Sequence, residues 1–160
     1  MTITGTEAYE AMCAHHQVLT EQLSSRVAAV SEAVTAGRPH QAAVARVIAF
    51  LAGEVLPHAA AEEETIYPAA AEHAELIGAI NEMVTEHTTL SVAAETLAGL
   101  ADGAAAAERA EQIADIFTVH AARENDVLLR ALLAAEVDLA ALLAQMHSSL
   151  EEAGRAVRTG

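Results

Sequence analysis

The chain has 160 residues, enough for one domain with an apolar core that needs no staples. Its formal charge is −15, from 23 acidic and 8 basic residues, which argues against partners that need phosphates neutralised, namely nucleic acid and anionic membrane surfaces. A single cysteine, Cys13, excludes an intrachain disulfide, and the acidic, interrupted start MTITGTEAYEAM lacks the basic-then-apolar pattern of a secretory leader. Each longer apolar stretch is broken by His, Glu or Arg, so no membrane span is expected and the reading is a cytoplasmic protein. Apolar residues reach 53%, mostly Ala, Leu and Val, while aromatics stand at 2%. Alanine favours helices and strands want β-branched and aromatic residues, so the composition alone predicts an all-α fold.

Apolar positions recur at helical spacing in four long segments and a fifth at the end. The first helix is expected from Thr6, as N-cap, to residue 36, where Gly37 and Pro39 stop it; its stripe is Met12, His16, Leu19, Leu23, Val27, Val30 and Val34. The second spans 40–67 with Val44, Ile48, Leu51, Val55, His58 and Glu62 on one face. Pro57 should kink it just before His58, and Pro68 should end it or kink it again. The third covers 75–100 with Ile77, Ile80, Val84, His87, Leu90, Ala94 and Leu97 inward. The fourth, after Ala101-Asp102-Gly103, aligns Ile113, Phe117, His120, Glu124, Val127 and Ala131. Asp138 caps a fifth, 139–155, with Leu142, Leu143, Met146 and Leu150 inside. Short connections between long helices imply an antiparallel up-down-up-down four-helix bundle, core about 6–135, with an additional C-terminal helix at about 138–157, all in one domain.

An internal repeat is visible. His58-Ala-Ala-Ala-Glu62 matches His120-Ala-Ala-Arg-Glu124, and the segment around His16 matches that around His87. Six inward positions are therefore imidazole or carboxylate, and no Lys or Arg shares the stripes to neutralise Glu62 and Glu124. A buried carboxylate without a counter-charge is costly, so a bound metal is the natural resolution. His and Glu four apart lie on one helix face and can converge on one ion. Four His and two Glu exceed a single tetrahedral zinc site and point to two ions with bridging carboxylates and open positions. This donor set favours iron, with an oxo or hydroxo bridge; manganese comes next and zinc after it. His15 competes with His16, and the stripe and repeat both select His16. His40, His73 and His147 carry no such pattern, and Glu63, Glu64 and Glu86 read as solvated groups or as partners that orient imidazoles.

These motifs together, His16, Pro57-His58-Ala-Ala-Ala-Glu62-Glu63 with Tyr67-Pro68, Glu86-His87, and His120 with Glu124, resemble the hemerythrin-like (HHE cation-binding) family over roughly residues 8–135. The resemblance implies an antiparallel four-helix bundle with a non-haem di-iron centre. Oxygen-carrying members have a second His four residues from the helix 3 His and an Asp five after the helix 4 His. Here those places hold Met83 and Ser91, and Asn125. The chain is thus similar to the four-His, two-Glu variant of actinobacterial hemerythrin-like proteins, for which catalase-like dismutation of hydrogen peroxide is implied. The alternatives are an oxygen or nitric oxide carrier or sensor, and an iron store or donor. The variant's Tyr-Pro makes Tyr67 a further metal-ligand candidate. On an ideal helix Tyr67 points about 140° from Glu62 and reaches the site only if the helix is distorted ahead of Pro68; otherwise it packs in the core.

Overall fold

The computed structural model describes residues 3–159, and every element among them is helical. The first rod is α1, Gly5–Thr35. Its N-cap is Thr4 rather than the expected Thr6, because Glu7 completes a reciprocal box there. The Glu7 N–H donates to Thr4 Oγ1 at 3.2 Å, and the Thr4 N–H donates to Glu7 Oε2 at 2.7 Å. Gly37 stops the rod at φ +63°, a conformation glycine takes without strain, while the Arg38 N–H closes back on Ala33 O at 2.8 Å.

The second rod is built in pieces: α2 (Gln41–Phe50), a π turn (Leu51–Val55), α3 (Leu56–Glu64) and α4 (Ile66–Ala70). Pro57 has no N–H and its ring would strike the carbonyl of Gly53 in a tight turn; the widened π turn immediately before it absorbs the misfit. Pro68 does the same to the turn holding Glu64, and the helix breaks at Thr65 (φ −123°, ψ −63°), whose hydroxyl donates to Ala61 O at 2.6 Å. The third rod is α5, Ile77–Ala98, entered through a 3-10 turn, Ala74–Leu76. The fourth is α6 (Gly103–Arg123), a second π turn (Glu124–Leu129) and α7 (Arg130–Ala134). Asp102 caps α6, accepting from the Ala105 N–H at 2.8 Å, and Asp138 caps the last helix, α8 (Leu139–Thr159), accepting from the Ala141 N–H at 3.0 Å.

The rods form a ring: α1 packs on α2 and α6, and α5 packs on the same two. This is a four-helix bundle with α8 laid on the outside, against α1 and α3. The interior divides into two apolar clusters. One holds Leu23, Val47, Leu90 and Phe117 with their neighbours; the other holds Met12, Ile66, Met83, Leu128 and Met146 with theirs.

Two expectations about the stripes and one about hydropathy need correction. Ile77 and Val84 are 45% and 37% exposed, and Met83 takes the inner place on α5. At 100° per residue Val84 lies about 60° from His87 on the solvent shoulder, whereas Met83 lies about 40° off on the inner side. Val127 is likewise 44% exposed, because the π turn adds a residue and moves the stripe on to Leu128, Leu129 and Leu132. Finally, the rod Gln41–Ala70 is long and apolar enough to cross a membrane by length and composition, since its many outward alanines outweigh its few charges. Its inner face is packed into the bundle and carries His58 and Glu62.

Candidate metal centre

Each rod contributes to a polar layer between the two apolar clusters. On α1, His16 follows Met12 of one cluster and precedes Leu19 of the other; on α5, His87 stands between Met83 and Leu90 in the same way. The π-interrupted rods supply the two His-x-x-x-Glu pairs, from α3 and from the junction of α6 with its π turn. All six side chains are buried, Glu124 completely.

The inner donor atoms are tightly gathered. His58 Nε2 lies 2.7 Å and His16 Nε2 3.0 Å from Glu62 Oε1, with 3.0 Å between the two nitrogens. On the other side His87 Nε2 and His120 Nε2 are 3.1 Å apart, and Glu62 Oε2 lies 3.6 Å from His87 Nε2. Glu124 Oε2 sits between the halves, 3.5 Å from His16 Nε2 and 3.6 Å from His120 Nε2. Two donor groups result, His16–His58–Glu62 and Glu62–His87–His120, each compact enough for one ion and sharing Glu62.

The outer nitrogens explain how the rings are held. His87 Nδ1–H donates to Glu63 Oε1 at 2.7 Å, and His120 Nδ1–H donates to Glu86 Oε2 at 2.8 Å. His16 Nδ1–H donates to Asn125 Oδ1 at 2.6 Å. Arg123 anchors Glu86 in turn at 2.6 Å. Carboxylate and amide oxygens can only accept, so these bonds put a proton on Nδ1 and turn Nε2 of each ring inward.

Such a layer is costly without a cation. Burial opposes the charge on His16, but the bonded Glu62 and the nearby Glu124 outweigh it and carry its pKa to about 9. Burial likewise opposes ionisation of Glu62, yet His58 and His16 pull its pKa well below the usual carboxylate range. Glu124 goes the other way: burial, then repulsion from Glu62, raises it. Burial lowers His87, and burial on His120 is outweighed by Glu124, which raises it. Glu62 Oε2 and both oxygens of Glu124 have no hydrogen-bond partner among the described residues. A cation fits this donor set on two counts. It would satisfy the orphaned oxygens, and ligand bonds of about 2.1 Å at right angles put donors roughly 3.0 Å apart, the spacing of the two imidazole pairs.

Of the two neighbouring candidates on α1, His16 enters the layer; His15 is exposed and lays its ring against His58 at 4.8 Å between centroids. Tyr67 is buried and reaches the layer's edge. Its ring stacks on His87 with centroids 5.7 Å apart, and its hydroxyl is 3.4 Å from His87 Nε2. The break at Thr65 supplies the distortion ahead of Pro68 that this position requires. Burial and the surrounding carboxylates raise its pKa, so the hydroxyl keeps its proton. Glu64 meets Ser149 at 2.6 Å instead of an imidazole. Asn125 and Arg123 escaped the sequence reading as participants. Residue 125 would point away from Glu124's face in a regular helix, and only the π turn brings it onto His16.

A model of the hemerythrin HHE cation-binding domain matches residues 7–132. No curated protein and no solved structure matches the chain. The matched span takes in part or all of each of the four rods and every residue of the polar layer. The chain therefore belongs to the hemerythrin HHE cation-binding family, as a metal-binding member.

Proposed function

We propose that the layer is a di-iron centre with His16, His58, Glu62, His87, His120 and Glu124 as ligands, and that it dismutes hydrogen peroxide. The observation that carries the metal reading is the pair of imidazole contacts at 3.0 and 3.1 Å, with inner nitrogens facing each other beside three carboxylate oxygens that have no hydrogen-bond partner among the described residues. Two irons would supply the redox change and Lewis acidity that peroxide turnover needs.

The chain's own residues do the remaining work. Glu63, Glu86 and Asn125 hold three imidazoles in one tautomer, so the donor set is organised before any ion arrives. Glu62, with an oxygen toward each half, and Glu124, between the halves, would be the carboxylates that hold both ions. The Tyr67 hydroxyl stands at the layer's edge, 3.4 Å from His87 Nε2, as a proton donor or further ligand. Met83 fills the neighbouring space with an apolar side chain. Fewer imidazoles leave more positions for an outside ligand, which favours turnover over guarded, reversible oxygen binding.

Metal content per chain, read with the ultraviolet–visible spectrum, tests the centre: two irons with oxo-bridge charge-transfer bands are expected, and one zinc or no metal overturns it. Oxygen evolution from added peroxide, lost in His58→Ala, tests the activity. An inert di-iron protein that binds dioxygen or nitric oxide reversibly would make it a carrier or sensor, and chelator-labile iron without turnover would make it a store.

A further inference from the structure

A cavity of about 250 Å³ lies between α1, α3 and α8, beside the metal layer but outside it. Its apolar wall includes Met12, Leu143 and Met146, and three imidazoles complete it: His15, His58 and His147. Met12, Met146 and His58 are buried, while His15 and His147 are exposed and stand at the mouth. Among the described residues that line it there is no carboxylate, lysine or arginine. Leu143, Met146 and His147 belong to α8, beyond the span 7–132 that matches the family model, so half of this cavity is an addition peculiar to the appended helix.

His58, at the floor, is the exception among the four inner imidazoles. The other three donate from Nδ1 to Asn125, Glu63 and Glu86. His58 turns Nε2 to Glu62 at 2.7 Å, but its Nδ1 is buried with no hydrogen-bond partner among the described residues. A buried ring nitrogen left without a partner is costly. His58 is also the only one of the four that lines this cavity.

We propose that this cavity binds a small neutral ring compound with one hydroxyl, a phenol in chemical class, whose hydroxyl pairs with His58 Nδ1. The size suits a single ring with substituents, since benzene occupies an apolar cavity of about 150 Å³. Mostly apolar walls with one or two convergent polar groups are the usual make-up of a small-molecule pocket. The sulfurs of Met12 and Met146 add favourable contact with a ring edge. The chain's charge of −15 selects a neutral ring over an anionic one. By bonding to His58 from behind, the occupant does for this imidazole what protein side chains do for the other three. The proposal goes beyond the peroxide reading and does not depend on which metal the layer holds.

Methionine-methyl NMR on the full chain, metal-free and iron-loaded, tests it with phenol as the probe. Saturable shifts of Met12 and Met146 are expected, with Met83, which stands on α5 and does not line the cavity, unmoved. Toluene, which lacks the oxygen, should bind about threefold or more weakly than phenol, the worth of one net hydrogen bond. Leu143→Trp fills the cavity and should weaken binding by about tenfold or more; Leu150→Trp does the same near the helix end if the first variant folds poorly. Absence of saturable shifts, or shifts that survive in the folded tryptophan variants, would overturn the site. Equal affinity for toluene would overturn the role of His58.

Discussion

Replacing Glu124 with methionine should make the metal-free protein more stable. Glu124 is fully buried, both of its oxygens lack a hydrogen-bond partner, and its nearest nitrogens are 3.5 and 3.6 Å away. Burial and Glu62 both push its pKa up, the mark of a carboxylate that the fold alone does not stabilise. A buried polar group left unpaired costs about 1–3 kcal/mol, and methionine has nearly the same length with no polar oxygen to desolvate. The expected gain for Glu124→Met is about 2 kcal/mol, or a rise in Tm of roughly 4–8 °C for a chain of this size. Glu62→Met should have the opposite sign, because Glu62 Oε1 is the acceptor for His58 at 2.7 Å and for His16 at 3.0 Å. Removing it strands two buried imidazoles, at a cost of about 3 kcal/mol. Urea melts of chelator-treated protein read both values, and repeating them with excess iron should reverse the order for Glu124→Met. A free ion at a hundredfold its Kd adds about 2.7 kcal/mol to whichever protein binds it. A metal-free Glu124→Met protein no more stable than the parent would refute the view that this carboxylate is kept for a cation and not for the fold.

Stability of the metal-free protein should fall as pH rises. The pKa of His16 goes from an ordinary 6.5 to about 9 in the fold, so its contribution is complete below 6.5 and is lost as pH passes through 9; His16→Gln should flatten that slope in urea midpoints. Glu86→Gln should weaken metal binding by roughly 10- to 100-fold in calorimetry, since Glu86 fixes the His120 tautomer, whereas Glu82→Gln, at the exposed end of the Arg123 pair, should leave it unchanged. Tyr67→Phe keeps the ring stacked on His87 and removes the hydroxyl at 3.4 Å. Stability should change by less than about 1 kcal/mol while the visible spectrum of the iron form shifts; an unaltered spectrum would take Tyr67 out of the centre.

The rods and the polar layer were legible because both rest on periodicity. Stripes repeating every three or four residues placed four inner faces, and a His or Glu on a stripe stands out against leucine and valine. Capping chemistry is local, so Asp138 could be read directly, although at the first helix the expected cap, Thr6, gives way to Thr4 because Glu7 bonds back to Thr4. The π turns could not be read in the same way. Pro57 warns of a distortion but does not say whether the chain kinks or widens. Between Glu124 and Leu129 no proline gives warning at all. That turn alone shifts Val127 out, brings Leu128 and Leu129 in and swings Asn125 onto His16, three details that a strict period of 3.6 places wrongly or leaves out.

The repeat in the sequence suggests two equivalent halves, but the geometry makes them unequal, and the inequality predicts the order in which ions bind. His16, His58 and Glu62 meet with all three separations at or below 3.0 Å, so one ion there needs almost no rearrangement. The other half has its imidazoles 3.1 Å apart, but its carboxylate contacts are 3.6 Å, from Glu62 Oε2 to His87 and from Glu124 Oε2 to His120. Drawing those oxygens in moves a wholly buried side chain through a packed interior, and that movement costs binding energy. Two phases are therefore expected when the metal-free protein is titrated with cobalt(II) or iron(II), the tighter one belonging to the His16 half. His58→Ala should remove the tight phase and His120→Ala the weak one. The π turns set this asymmetry: one lies before His58, leaving its His-x-x-x-Glu in regular helix, while the other begins at Glu124 itself and holds that carboxylate back. A single transition taking up two ions at once, unchanged in form in either variant, would show that the halves are energetically equivalent and that the difference in spacing carries no weight.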